Sequence, residues 1–333
     1  MYKTKKILLA HSNHGDEMIK WHNRRELTAK RLGYDFTTFN MTGHFPYTIF
    51  PKLDKMWKKK DYNLLKFYEI LGEKIDKCDV FIHYNGALIH PDFLNKFNKV
   101  KIYHCADDPD ASSVLSKPVA INYDYCAISN PSCIKMYESW GCKNVFFWPL
   151  GSFHSDCSSY DKQLFENPRE TPLVFIGSKR GVSNIRYIGK YLGLFQKTAF
   201  MNKLEKRFPE LVAYGSGWSN GRISNSSVSD LYKDSMLGFN LHNSLGPING
   251  RLYDLPAFGI CQICDNKKNL NYVFEEGKEI IGYENRKECF EKIDYYLNNP
   301  DKALNIAKAG HKRFVNDYTD EAIWKNFILN IQK

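Results

Sequence analysis

The residues best suited to chemistry lie between Asn240 and Asp265, in the run NLHNSLGPINGRLYDLPAFGICQICD. An apolar, strand-like stretch, Met236 to Leu241, gives way to small and polar residues that include Asn249 and Gly250. A helix is expected from Arg251 to Gly259, and a second short strand from Ile260 to Cys264. A strand feeding a glycine-containing loop and a helix N-terminus suits an anion, because backbone N–H groups and the helix dipole converge there. Arg251 would stand in the first turn and Asp254 one turn later, on about the same face. A cation for phosphates beside a carboxylate for sugar hydroxyls is the chemistry of a nucleotide-sugar pocket. Strand, loop and helix recur in every α/β protein, so spacing alone does not separate such a pocket from a structural junction.

The elements that must position these groups begin upstream. Residues 1 to about 150 alternate strand candidates (Ile7–Ala10, Asp35–Phe39, Val80–Tyr84, Val100–His104, Tyr125–Ile128, Val145–Trp148) with helical stretches such as Glu17–Leu32 and Leu64–Lys77. That alternation predicts a parallel sheet covered on both faces, with ligands at the carboxyl ends of its strands. Polar residues gather at those ends: His14 and Asp16 after the first strand, Asn85 after the third, Asp107 and Asp108 after the fourth. Asp and Asn after a strand also cap helices and open turns. Asp16 therefore reads equally as a cap for the helix from Glu17 and as a base. The Asp107–Asp108 pair reads also as a turn before Pro109, and a metal between the two is not expected, because adjacent carboxylates diverge.

A polar run, 151–171, reads as a linker between a first domain of 1–150 and a second of 172–318, with a last helix in 319–333. The second domain opens with a strand, Leu173–Ile176, and the loop Gly177-Ser178-Lys179-Arg180-Gly181. Further on come a helix from Thr198 to Phe208, a strand near Val212–Tyr214, and a short helix, Val228–Tyr232, with Ser229 as its cap. Trp218, flanked by glycine at a strand end, either stacks on a nucleobase or packs as a lid.

At 333 residues two domains of about 160 are expected, and 43% hydrophobic with 15% aromatic residues supplies two cores. No apolar run approaches the ~20 residues of a membrane span, and the apolar stretch near the N-terminus is too short for a secretory signal. A cytosolic protein is expected, with its nine cysteines reduced. Cys261 and Cys264 form a CxxC within a predicted strand, without a second pair to complete a zinc site. A net charge of +10 favours a polyanionic partner, and membrane surface, nucleic acid and anionic glycan all fit. The segment Lys52–Lys60, five lysines around Trp57, reads as solvated surface or as a basic patch with an aromatic anchor.

Several runs together resemble a known family. These are Asn249-x-Arg251-x-Tyr253-Asp254, Pro256-Ala257-x-Gly259, Glu276-Gly277-Lys278-Glu279, and the closing helices with Asn299-Pro300 and Ala309-Gly310-His311. Over about residues 235–325 the chain resembles the C-terminal, donor-binding half of GT-B glycosyltransferases of the CgeB-like, "glycosyl transferases group 1" type. The resemblance implies an α/β fold of two Rossmann-like, doubly wound domains facing a central cleft, the last helix crossing back to the first. It implies a nucleotide diphosphate sugar as donor, a UDP-sugar being favoured, and neither metal nor other cofactor. Gly177, Lys179, Arg180, Trp218, Asn249, Gly250 and Arg251 become donor-binding candidates, with Arg186 behind them. Arg180, Lys179 and Arg251 would neutralise the leaving diphosphate, and Asp254 would hold the ribose hydroxyls. His14, Asp16, Asn85, Asp107 and Asp108 become acceptor-side candidates, with Asp16 or His14 as base if the reaction inverts. One departure stands out: Gly246 occupies the place of the first carboxylate of the Glu-x7-Glu pair of many retaining relatives, which leaves the sugar and the stereochemistry open. The expected acceptor is a polyanionic or lipid-linked glycan at the inner membrane face, in envelope or surface glycan synthesis. A hydroxylated base of DNA is the alternative, and a non-catalytic sugar-binding protein of the same fold is a third reading.

Overall fold

In the computed structural model the chain folds as two compact units, Met1–Leu150 with Asp320–Lys333 and Gly151–Thr319. The structure describes residues 5–12, 15–155, 157–180, 188–242, 248–265 and 267–332, and their side chains apart from those of 16, 17, 188–196 and 268. The first unit contains β1 (Lys6–His11), α1 (Asp16–Arg31), β2 (Asp35–Asn40), α2 (Phe50–Lys58), α3 (Tyr62–Asp76) and β3 (Val80–Tyr84). It continues with α4 (Pro91–Leu94), β4 (Val100–His104), β5 (Tyr125–Ile128), α5 (Ile134–Ser139) and β6 (Val145–Phe147). The second unit contains β7 (Thr171–Ile176), α6 (Ile188–Arg207), β8 (Leu211–Tyr214), α7 (Asn225–Lys233), β9 (Ser235–Asn240) and α8 (Arg251–Ala257). It ends with β10 (Cys261–Cys264), α9 (Lys267–Leu270), β11 (Ile281–Gly282), α10 (Arg286–Asn298) and α11 (Pro300–Asp317), after which α12 (Asp320–Ile331) returns to the first unit.

Both sheets are parallel throughout, in the orders β2-β1-β3-β4-β5-β6 and β11-β10-β9-β7-β8. In each, the chain leaves the first strand toward one edge and later builds toward the other, so the direction reverses between β1 and β3 and between β7 and β9. A sheet covered by helices on both faces needs strands apolar on both sides, which is why Val80–Tyr84 is buried at every position. α3 closes one face with Leu64, Phe67, Tyr68, Leu71 and Ile75, spaced three and four apart, and Asp61 caps it by accepting from Leu64 N at 3.0 Å. In the second unit Phe175, Leu237, Phe239 and Ile263 form the strand side of the core, and α11 adds Ala303 and Ala307.

α12 is held to the first unit through an arginine. The Trp324 indole N–H donates to the Arg25 carbonyl at 2.9 Å. The Arg25 guanidinium, buried, lies 4.7, 5.0 and 5.3 Å from the ring centres of Trp21, Trp148 and Trp324. Three aromatic faces thus surround a cation taken out of water.

Several local readings are corrected. The stretch 151–171, read as a linker, lies in the second unit, where Asp161 N bonds His311 Nε2 and Ser152 is buried. Helix α7 begins earlier than expected and is capped by Ser224, not Ser229: Ser224 has the extended conformation a cap needs, whereas Ser229 is already inside the helix. Asp16 is the first helical residue of α1, with Gly15 as its cap. Lys52 to Lys58 belong to α2, and Trp57 stacks on His90 at 5.0 Å and donates to Asp92 at 3.0 Å, so its indole has partners within the unit. No helix of the described residues is long and apolar enough to cross a membrane.

Candidate functional site

The reversal between β7 and β9 leaves a crevice at the carboxyl ends of these strands, and Arg251 fills it from the start of α8. Its Nη1 donates to Ile176 O at the end of β7 (2.8 Å), its Nη2 to Leu241 O just past β9 (2.8 Å), and its Nε to Asn240 Oδ1 (3.1 Å). The guanidinium lies 5.0 Å from the Phe175 ring centre, and an added Cβ on Gly177 would meet Nη1 at 2.6 Å. Gly177 is therefore where the main chain must come close to the arginine. Three of the five N–H groups of Arg251 go to described residues, and the side chain is half-buried.

Other charges crowd this crevice. Lys197, buried on α6, has its pKa pushed down to about 8, first by burial and then by the Arg251 charge, with Asp265 opposing. Asp265, after β10, accepts from His242 N at 3.0 and 3.2 Å and pairs with His242 Nδ1 at 2.5 Å. His242, Cys264 and Asp265 each bring one ligand atom within 4.8 Å of the others. Those donors match a transition metal in kind, but the adjoining Arg251 and Lys197 charges act against a cation there. Cys261 of the CxxC is buried in the core, apart from that group.

Asn249 and Gly250 do structural work. Asn249 exchanges hydrogen bonds with the Asn240 amide (2.8 and 3.2 Å) and accepts from Leu252 N (3.0 Å), which ties its side chain to the first turn of α8. A Cβ on Gly250 would meet the Phe153 ring at 2.4 Å, so Phe153 covers the start of this seven-residue helix. Asp254, buried, accepts from Ser152 Oγ (2.6 Å), Phe153 N (2.8 Å), His154 N (3.2 Å) and His154 Nδ1 (3.1 Å). Its carboxylate thus faces residues 152–154, and the imidazole of His154 stands on its outer side.

The loop after β7 is tied down as well. Lys179 pairs with Glu205 at 2.5 Å and lies 4.8 Å from the Trp218 ring centre. Trp218 is buried against Phe175 and donates to Gly177 O at 2.8 Å, which is the packed alternative for this residue. Arg180 is exposed. Arg186 and Gly246 lie outside the described residues.

In the first unit the acceptor-side candidates separate. His14 and the Asp16 side chain lie outside the described residues. Asn85 has φ 67° and accepts from Ala106 N at 3.2 Å, joining the turns after β3 and β4. Asp107 is exposed, whereas Asp108 points inward to Ser116 Oγ (2.7 Å) and Tyr137 Oη (2.5 Å). Burial pushes the Asp108 carboxyl up to about 6 despite these bonds. Next to them, at the ends of β1, β3 and β4, His11 stacks on His22 and Tyr84 on His104, each pair at 4.0 Å. Burial lowers His11 to about 4 and holds His22 and His104 well below the usual imidazole range, so these rings are neutral at pH 7.

Residues 196–328 match the family model described as "Glycosyl transferase-like". Two solved structures align over nearly the whole chain: sucrose-phosphate synthase of Thermosynechococcus elongatus (13% identity, 98% of each chain, TM-score 0.62) and Anabaena HepE in complex with UDP and glucose (10% identity, 98% and 99% covered, TM-score 0.59). The fold is GT-B. A glycosyltransferase from Rickettsia africae aligns similarly, at 12% identity, 99% and 98% coverage and TM-score 0.61. No curated protein sequence matches the chain.

Within the second GT-B domain, the residues that sequence reading missed are Ser152, His154, Lys197, His242 and Asp265. Asn240 and His242 do carry a signal, since both are polar and stand where an apolar strand ends. Lys197 carries none, because a lysine in a helix ordinarily points to water.

Proposed function

We propose that the protein is a glycosyltransferase that moves a sugar from a nucleotide diphosphate sugar to a hydroxyl acceptor. The observation that carries this reading is the Arg251 guanidinium fixed across the β7/β9 reversal, with the Lys197 ammonium beside it. Two cations at the carboxyl ends of a parallel sheet suit a diphosphate, and they stabilise charge that builds on the leaving group as the glycosidic bond breaks. UDP-sugars are favoured as donors, and HepE, a structural neighbour, binds UDP and UDP-glucose. The Arg251-x-Tyr253-Asp254 run supports the CgeB-like subtype. The net charge of +10 supports a polyanionic or lipid-linked glycan as acceptor, met in the cytoplasm at a membrane face.

A thermal-shift panel of UDP, GDP, dTDP, ADP and CMP and their sugars tests the donor assignment. A rise in melting temperature with one nucleotide class, weakened in Lys197→Met, is expected, because a ligand that binds only the folded state stabilises it. No shift with any nucleotide overturns the reading. Turnover is then followed as release of free nucleotide from the sugar nucleotide that binds.

A further inference from the structure

Lysines that the donor site does not use gather on one surface of the first unit. Lys52 and Lys55 of α2 and Lys59 at its C-cap follow at steps of three and four, so they form one stripe on the side of the helix away from the buried Leu53. Lys60, at φ 54°, turns the chain into α3, where the exposed Lys66 stands one turn beyond Tyr62. Lys96, also exposed, comes from the turn after α4, with its Nζ 5.4 Å from the Trp57 ring centre. Of these residues and Lys58, only Lys58 has a carboxylate partner among the described residues, Asp54 at 2.7 Å. The other two aspartates nearby are engaged as acceptors: Asp61 caps α3 through Leu64 N (3.0 Å), and Asp92 takes the Trp57 indole N–H (3.0 Å). Seven lysines thus stand against three aspartates, and a large share of the net charge of +10 lies on this surface. Glu69, one turn past Lys66 on α3, marks its edge.

The stripe from Lys52 to Lys59 is about 10 Å long, close to the Debye length at physiological salt, so its charges act together on whatever faces them. The side chains choose a lipid bilayer over a nucleic acid. Every cation is a lysine, a hydrated point charge that needs no registered partner, whereas phosphates of nucleic acids are typically gripped by the bidentate fork of arginine. Trp57 stacks on His90 at 5.0 Å and is approached by Lys96, so it is not presented to a base. Tyr62, two residues after Lys60, is 75% exposed and suits the headgroup level of a bilayer. We propose that this face, built from Lys52, Lys55, Lys59, Lys60, Lys66 and Tyr62, docks the protein on a bilayer surface rich in anionic phospholipid. The proposal rests on the lipid-linked acceptor of the function proposed above, because such a substrate presents its head group at that surface.

The test is co-sedimentation of the full chain with vesicles of phosphatidylcholine, with and without phosphatidylglycerol. Binding is expected only with phosphatidylglycerol, and it should weaken as salt is raised. Each exposed lysine contributes about fivefold to such binding, so changing Lys52, Lys55, Lys59 and Lys60 together to Gln should weaken it by about 10²-fold or more. The same change at Lys203, Lys206, Lys302 and Lys312, exposed lysines of the second unit, removes equal charge and should weaken binding by no more than about threefold. No binding to phosphatidylglycerol vesicles at low salt, an undiminished affinity in the first variant, or an equal loss in both variants overturns the proposal. Duplex DNA bound more tightly than the vesicles through the same four lysines also overturns it, in favour of a nucleic-acid partner. Release of nucleotide from a soluble sugar nucleotide is followed in parallel. Turnover without vesicle binding removes the docking face and leaves the transferase, whereas vesicle binding through these lysines without turnover of any donor leaves the docking face and removes the transferase reading.

Discussion

Arg251 and Asn240 are joined across the end of β9, Nε to Oδ1 at 3.1 Å, and the same Asn240 side chain also bonds Asn249 and Gln262. A single polar cluster therefore sets the position of α8 and the direction of its guanidinium. The two remaining Arg251 bonds go to main-chain oxygens, so the fork of the guanidinium is what fits this crevice. Arg251→Lys keeps the charge but cannot reach three acceptors. It should cost about 2–4 kcal/mol of stability, chiefly by leaving carbonyl groups unsatisfied. Denaturant unfolding of the variant checks this, and a loss below about 0.5 kcal/mol would show that the fork is dispensable.

Gly250 and Phe153 should be coupled. Because a methyl at 250 meets the Phe153 ring at 2.4 Å, Gly250→Ala must push that ring aside, at an expected cost of about 1–3 kcal/mol. Phe153→Leu in the same chain should recover most of the cost. A double-mutant cycle on melting temperatures reads the coupling, and additive effects would count against the contact.

How much of this was legible in the sequence depended on whether the interaction was local. Val80–Ile82 and Leu173–Ile176 announce themselves because parallel strands buried on both faces carry continuous apolar runs. Arg251 and Asp254 were visible as chemistry, but their partners were not. Ile176 O and Leu241 O are main-chain atoms, and Ser152 to His154 lie about a hundred residues away from Asp254. Asn249 was named for donor binding, and the sequence did not show that its side chain also accepts from Leu252 N in the first turn of α8. Lys179 looked like a phosphate cation and pairs with Glu205, 26 residues on, which helical spacing could not reveal.

The buried histidines of the first unit make it acid-sensitive. His11 falls to about 4 and His83 to about 3 through burial, both below the ordinary 6.5. As pH drops below 6.5 the unfolded chain takes up these protons first, so stability is lost down to about pH 4 for His11 and pH 3 for His83, by up to roughly 3 kcal/mol or more each. Asp108 works the other way. Its folded value of about 6 lies above the ordinary 3.8, so between pH 6 and 4 the folded state takes the proton and gains up to roughly 3 kcal/mol. The histidines outweigh it, and net destabilisation is expected. Asp108→Asn removes the offset, so urea unfolding at pH 7, 6 and 5 should show a steeper loss in that variant than in wild type.

Trp324 should be the residue that fastens α12. It donates to Arg25 O, stacks near the Arg25 cation and meets Phe36 at 4.6 Å. Trp324→Ala removes a fully buried indole and should cost about 3–5 kcal/mol, and Trp324→Phe distinctly less. If α12 were only loosely attached, both variants would unfold at the wild-type denaturant midpoint.

Lys197 offers a test of the donor site that depends on pH alone. Its ammonium is held down to about 8 by burial and by Arg251, so it is charged at pH 7 and mostly neutral at pH 9. A diphosphate bound beside it favours the charged form, so binding must weaken as pH rises through 8. With about one lysine in ten still protonated at pH 9, nucleotide affinity should fall about tenfold between pH 7 and 9. Any slope that the UDP terminal phosphate or uracil N–H contributes is common to every variant, so the comparison with Lys197→Arg isolates the lysine. Lys197→Arg, charged throughout, should flatten the profile, and Lys197→Met should bind weakly at every pH. Isothermal titration with UDP at pH 7, 8 and 9 decides the matter: an equal slope in wild type and Lys197→Arg would remove Lys197 from the phosphate site and leave Arg251 as its cation.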